Sequence, residues 1–210
     1  MKKHLLLSLC LLVAFVAWTV CLGVVDVRPI GPQDSCVGFA ALNGWVHRLT
    51  GVHMTLYHIT DWLGLIPVAF GLGFALLGLI QWIGRKSLRR VDTDLLVLGG
   101  FYLLVLGVYL LFEAVVINRR PVLINGYLEA SYPSSTTLLV LSIIPTTILQ
   151  LHRRIRRPWL NRTATALLGA FLLFMVLGRL LSGVHWFSDI VGGLLLSGTL
   201  VSLYRAATNK

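Results

Sequence analysis

The chain has 210 residues, 57% of them hydrophobic and only 12% charged, with a mean hydropathy of +0.83. So little charge cannot cover the surface of a water-soluble domain of this size, and the composition specifies a polytopic membrane protein. The net charge of +10 is dispersed over short loops between apolar spans, a positive-inside pattern that excludes a nucleic-acid partner.

Met1-Lys2-Lys3-His4 precedes a charge-free run over 5–25. Its 21 residues are enough to cross roughly 30 Å of hydrocarbon, so it reads as an uncleaved first transmembrane helix rather than a signal peptide. Cys10 and Cys21 fall in this span and Cys36 in the next loop, with no CxxC pair to suggest a metal site or a disulfide framework. Segment 26–61 is the one long loop. It holds Trp45, Tyr57, His47, His53 and His58, and Arg48 and the histidines break its apolarity, so interfacial helices against the bilayer are expected there.

Five further spans follow at about 62–83, 95–117, 136–151, 163–181 and 190–204, the fourth and sixth of the set short for a full crossing. The expectation is a single all-α membrane domain over 1–210 with six transmembrane helices. With both termini and the loops at 85–90 and 152–162 on the cytoplasmic side, that side carries 13 of the 18 Lys and Arg residues. A plasma membrane location follows as the expectation.

Three polar clusters then fall together on the opposite, extracytoplasmic side: Arg119-Arg120-Pro121, Tyr132-Pro133-Ser134-Ser135, and Arg179 with His185 and Asp189. Ionisable groups at span ends are costly to bury and ask for a reason. Guanidinium groups bind phosphate oxygens through paired hydrogen bonds, although arginines at span ends also snorkel to the interface. Ser134 opens the fourth span, where it either caps the helix or, with the free N–H groups, favours an anion. His185 and Asp189, four apart, share a helix face, so the carboxylate can orient the imidazole and leave its other nitrogen free to attack phosphorus.

The set resembles the type 2 phosphatidic acid phosphatase (PAP2) superfamily, whose signature reads KxxxxxxRP, PSGH and SRxxxxxHxxxD. Here the matching stretches are Glu113-x6-Arg120-Pro121, Pro133-Ser134-Ser135-Thr136 and Gly178-Arg179-x5-His185-x3-Asp189. The resemblance implies a PAP2-like helical bundle, with His185 as the nucleophile of a phosphohistidine mechanism and Asp189 orienting it. Arg120, Arg179, Ser134 and the N–H of Ser135 would hold the phosphoryl oxygens.

Two positions depart from that pattern. Glu113 stands where the family carries a phosphate-binding lysine; it repels phosphate and is expected to pair with Arg119 or Arg120. Thr136 stands where the family carries the histidine that protonates the leaving group, and a threonine hydroxyl is too weak an acid for that task. A lipid diphosphate such as a polyprenyl diphosphate avoids the problem, because the departing lipid monophosphate is already a stable anion. Other donors in view are Glu129, in the same loop as Arg120, and His47, His53 or His58. The alternatives to hydrolysis are a lipid-phosphate binding or transport protein and a phosphotransferase. The histidines of 26–61 lack metal-site spacing and carboxylate partners, so neither metal nor cofactor is expected; the partners are the bilayer and its phosphorylated lipid.

Overall fold

The computed structural model describes residues 1–208. Among these it forms eight α-helices: α1 (Lys2–Val24), α2 (Ala40–Thr50), α3 (Met54–Leu63), α4 (Leu65–Arg85), α5 (Thr93–Ala114), α6 (Ser135–Arg154), α7 (Pro158–Leu181) and α8 (Phe187–Thr208). Six stretches are long and apolar enough to cross a membrane: α1, α3 and α4 taken together, and α5 to α8. The protein is an all-α, multi-pass membrane protein.

The fourth and sixth spans, short in the sequence reading, are full-length helices of 20 and 22 residues. The reason is their position. α6 and α8 are the most enclosed of the six and the least hydropathic. A helix surrounded by protein can carry polar groups that a lipid-facing helix cannot, provided that each finds a partner. Thr146 and Ser197 satisfy this by donating to carbonyls one turn back on their own helices. Such residues interrupt the apolar runs on which span boundaries were drawn.

α1 lies along α8, held by polar contacts as well as packing. Ser8 Oγ donates to the Thr199 carbonyl at 3.0 Å, and Trp18 Nε1 to the Ser188 carbonyl at 3.2 Å. Lipid tails are as apolar as leucine, so close packing and such bonds, rather than escape from water, hold helices together here. Close approach also fixes the loop before α6. A Cβ on Gly192 of α8 would come within 2.5 Å of the Tyr132 ring, so only glycine lets that ring lie against the helix.

At the end where the basic loops lie, Arg154 pairs with Asp94 at 3.1 Å and Gln150 Nε2 donates to Tyr204 Oη at 2.7 Å, tying α5, α6 and α8. At the opposite end, segment 26–61 supplies the expected short helices. α3, however, does more than rest on a bilayer surface: it runs on through Gly64 into α4 and packs against α7, bringing Tyr57, Thr60 and Asp61 to the inner ends of the other clusters.

Candidate active site

His185 sits in the short link between α7 and α8. The chain reverses there through Gly183 (φ +68°), whose missing side chain admits the Gly51 carbonyl. His185 is only 3% exposed. Its Nδ1 lies 3.2 Å from the Ser131 carbonyl, which can only accept, so Nδ1 carries the hydrogen. Arg120 Nη1 donates to Nε2 at 3.2 Å. The ring is therefore neutral with its Nε2 lone pair aimed at a guanidinium. Burial pushes its pKa down to about 4; the Asp189 carboxylate opposes that shift and Arg120 adds to it.

Asp189 is fully buried, and its Oδ2 lies 3.6 Å from His185 Nδ1, in charge contact but beyond hydrogen-bond reach. The same oxygen accepts the Trp186 N–H at 2.9 Å, and Oδ1 accepts from Asn118 Nδ2 at 3.3 Å. Asp189 thus caps the start of α8 while facing the imidazole. The atom that orients the ring directly is the Ser131 carbonyl, which corrects the expectation placed on Asp189 alone.

The two arginines converge on Tyr57. The Arg179 guanidinium lies 5.0 Å from the ring centroid and that of Arg120 6.0 Å away. Arg179, 2% exposed, donates from Nη2 to Asp61 Oδ1 at 3.1 Å and to Thr136 Oγ1, and from Nη1 to Thr60 Oγ1 at 3.4 Å and the Tyr57 carbonyl at 3.5 Å. Arg120 Nε lies 3.0 Å from Glu129 Oε2, an ion pair without hydrogen-bond alignment. Arg120 Nε, Arg179 Nε and Ser131 Oγ are all buried without a hydrogen-bond partner. Both guanidinium groups lie against the Tyr57 ring and each keeps a buried Nε that makes no hydrogen bond, that of Arg120 beside Glu129; two such arginines fit an anion with several oxygens.

Other predicted residues are placed less directly. Ser134 occupies the N-cap of α6, but its hydroxyl makes no capping bond; it accepts from Thr137 Oγ1 at 3.0 Å. Ser135 begins α6 and lines a narrow cleft with Glu113, Tyr132 and His185. Thr136 is buried and bound to Arg179. Glu113 does not pair with Arg119 or Arg120: Arg120 takes Glu129, and Arg119 donates to the Leu128 carbonyl at 3.0 Å while its own carbonyl accepts from Trp186 Nε1. Of the loop histidines, His47 packs against Trp186, His53 bonds the Thr50 carbonyl and His58 is exposed beside Tyr57.

Sequence reading missed Tyr57, Thr60, Asp61, Asn118 and Ser131. Only Asp61 carried a usable signal, a lone carboxylate at the mouth of an apolar span. Among the described residues no group of three or more His, Cys, Asp or Glu side chains is placed to hold a metal ion.

Residues 112–210, which hold all three clusters, match the family model described as the PAP2 superfamily. Over these residues the chain is similar to the PAP2 superfamily. The fold extends the likeness beyond the matched residues. It is similar to the crystal structure of the first transmembrane PAP2 type phosphatidylglycerolphosphate phosphatase from Bacillus subtilis, with a TM-score of 0.62 and 18% identity over 96% of this chain and 95% of that one. No curated protein matches the sequence. The N-terminal part outside the PAP2 match thus contributes Tyr57, Thr60 and Asp61 to the site that the matched part contains.

Proposed function

We propose that this protein is an enzyme of PAP2 type that hydrolyses a phosphorylated membrane lipid through a phosphohistidine at His185, without a metal ion. The observation that carries this reading is the state of His185: a buried neutral imidazole whose Nε2 faces Arg120, with the Arg120 and Arg179 guanidinium groups gathered on the Tyr57 ring. Nε2 attacks phosphorus, and the ring then bears a positive charge that the Asp189 carboxylate 3.6 Å from Nδ1 balances. Arg120 and Arg179 hold the equatorial oxygens where negative charge gathers, aided by the Ser135 N–H at the start of α6. Ser134, its hydroxyl engaged by Thr137, shapes the turn.

The site lies at the end of the bundle away from the basic loops, and the positive-inside pattern supports an outer-face site in the plasma membrane with both termini in the cytoplasm. The narrow cleft lined by Tyr109, Phe112 and Glu113 of α5 and by Ser135 and Leu138 of α6 reaches His185 and supports a lateral approach of the lipid between these helices. Because residue 136 supplies no proton, lipid diphosphates such as polyprenyl diphosphates are the faster substrates.

The test is phosphate release by detergent-purified protein from phosphatidic acid, phosphatidylglycerolphosphate and a polyprenyl diphosphate, with and without EDTA, beside His185→Ala. The reading expects EDTA-resistant release, fastest from the diphosphate and absent in the variant. Faster release from phosphatidic acid than from the diphosphate refutes the substrate preference. No release from any lipid, with lipid phosphate still bound, turns the reading to binding or transport.

A further inference from the structure

A phosphate monoester leaves as an alkoxide and needs a proton, yet the hydroxyl of Thr136 already accepts from Arg179. Besides Asp189, three carboxylates touch the two arginines or line the cleft at His185. Glu129 pairs with Arg120, the arginine that also touches His185 Nε2, and so stands on the nucleophile's side. Phosphoryl transfer is in line, and the leaving oxygen departs on the side away from the nucleophile. Glu113 lines the entry cleft together with His185.

Asp61 belongs to the other arginine. Its Oδ1 lies 3.1 Å from Arg179 Nη2, the nitrogen that also donates to Thr136 Oγ1. Carboxylate and threonine are two partners of one atom, so Asp61 stands beside the position from which residue 136 offers no acid. Its side chain is 55% exposed, open to proton exchange with water, whereas Arg179 beneath it is buried.

Resting on the phosphohistidine reading, we infer that Asp61 is the general acid of this site and extends its activity to lipid phosphate monoesters. A bound phosphate engages the guanidinium that now holds Asp61 and so frees its carboxyl to face the leaving oxygen. The other charged group facing it is Arg179 of α7, with Thr136 of α6 beyond; His58 is on its own helix. As the Nε2–phosphorus bond forms and the phosphorus–oxygen bond to the lipid breaks, the leaving oxygen takes the Asp61 proton. In the second half-reaction, which is the same for every substrate and does not use Asp61, the water oxygen bonds phosphorus as the nitrogen–phosphorus bond breaks, and the water protons stay with the departing phosphate. Inorganic phosphate leaves, His185 is again neutral, and Asp61 regains its proton from solvent.

The experiment compares phosphatidic acid with farnesyl diphosphate in wild type, Asp61→Asn, Glu113→Gln, Glu129→Gln and His185→Ala. Asparagine keeps an oxygen acceptor for Arg179 and removes only the acid. Asp61→Asn is expected to slow phosphatidic acid turnover by about 10²–10⁴-fold while diphosphate turnover changes little. An equal loss on both substrates, or no loss on either while His185→Ala abolishes both, overturns the assignment and leaves the phosphohistidine reading standing. Selective monoester loss in Glu113→Gln or Glu129→Gln instead of Asp61→Asn also overturns it, as does a wild type inactive on monoesters. Turnover that survives His185→Ala overturns the underlying reading and this one with it.

Discussion

Lowering the pH tests the protonation state of His185 directly. In the folded protein, burial holds the ring neutral down to about pH 4, against 6.5 for an ordinary histidine. The unfolded chain therefore binds more protons between those values, and stability falls as pH drops from 6.5 towards 4. At 1.36 kcal/mol per unit, that difference amounts to about 3 kcal/mol at full protonation, to order of magnitude. Removing a positive neighbour, as in Arg120→Gln, moves the pKa back up and eases that loss. The assay is NMR of protein in detergent micelles with 13C-labelled imidazoles, the His185 signal assigned through His185→Gln. The His185 signal should stay that of a neutral ring until well below the range where ordinary histidines titrate, and shift upward in Arg120→Gln. A wild-type midpoint near 6.5 would refute the buried, arginine-facing imidazole on which the chemistry rests.

Tyr57→Leu removes the aromatic face under both guanidinium groups but keeps the backbone carbonyl that Arg179 uses. At about 1–2 kcal/mol of lost positioning, kcat/KM for lipid phosphate should fall roughly 5–30-fold, with the melting temperature in detergent little changed. Gly183→Ala puts a Cβ 1.8 Å from the Gly51 carbonyl oxygen in a left-handed backbone conformation. The link carrying His185 must then shift, at a cost of roughly 3 kcal/mol, and both thermal stability and turnover should drop. Asp189→Asn removes the charge that balances a phosphorylated ring while keeping an acceptor for the Trp186 N–H. It should cut turnover far more than it lowers the melting temperature, as measured on the same samples.

The helices and the three clusters were legible because hydropathy and motif spacing are properties of contiguous sequence. Arg120 lies against His185, and Arg120 and Arg179 share the Tyr57 ring. What the sequence concealed is what non-local packing decides. Tyr57 and Asp61 lie more than a hundred residues from Arg179 and reach it only because α3 turns into α4 against α7. Asp189 keeps its charge contact with His185 but gives its hydrogen bonds to Trp186 and Asn118, since the start of α8 has its own unpaired N–H to satisfy. Glu113 was assigned an arginine by nearness in the chain, and Glu129, brought alongside by the 119–130 backbone pairing, takes that partner instead. The polar interiors of α6 and α8 obscured their lengths, because apolarity marks contact with lipid rather than presence in the membrane.

The central claim is that phosphate passes through His185, and rapid-quench trapping with a 32P-labelled polyprenyl diphosphate tests it most directly. The account predicts an acid-labile, base-stable phosphoenzyme within a single turnover, mapped to the peptide containing His185 and absent in His185→Ala. Phosphate release by the wild type with no trapped intermediate, or label persisting in His185→Ala, would contradict it.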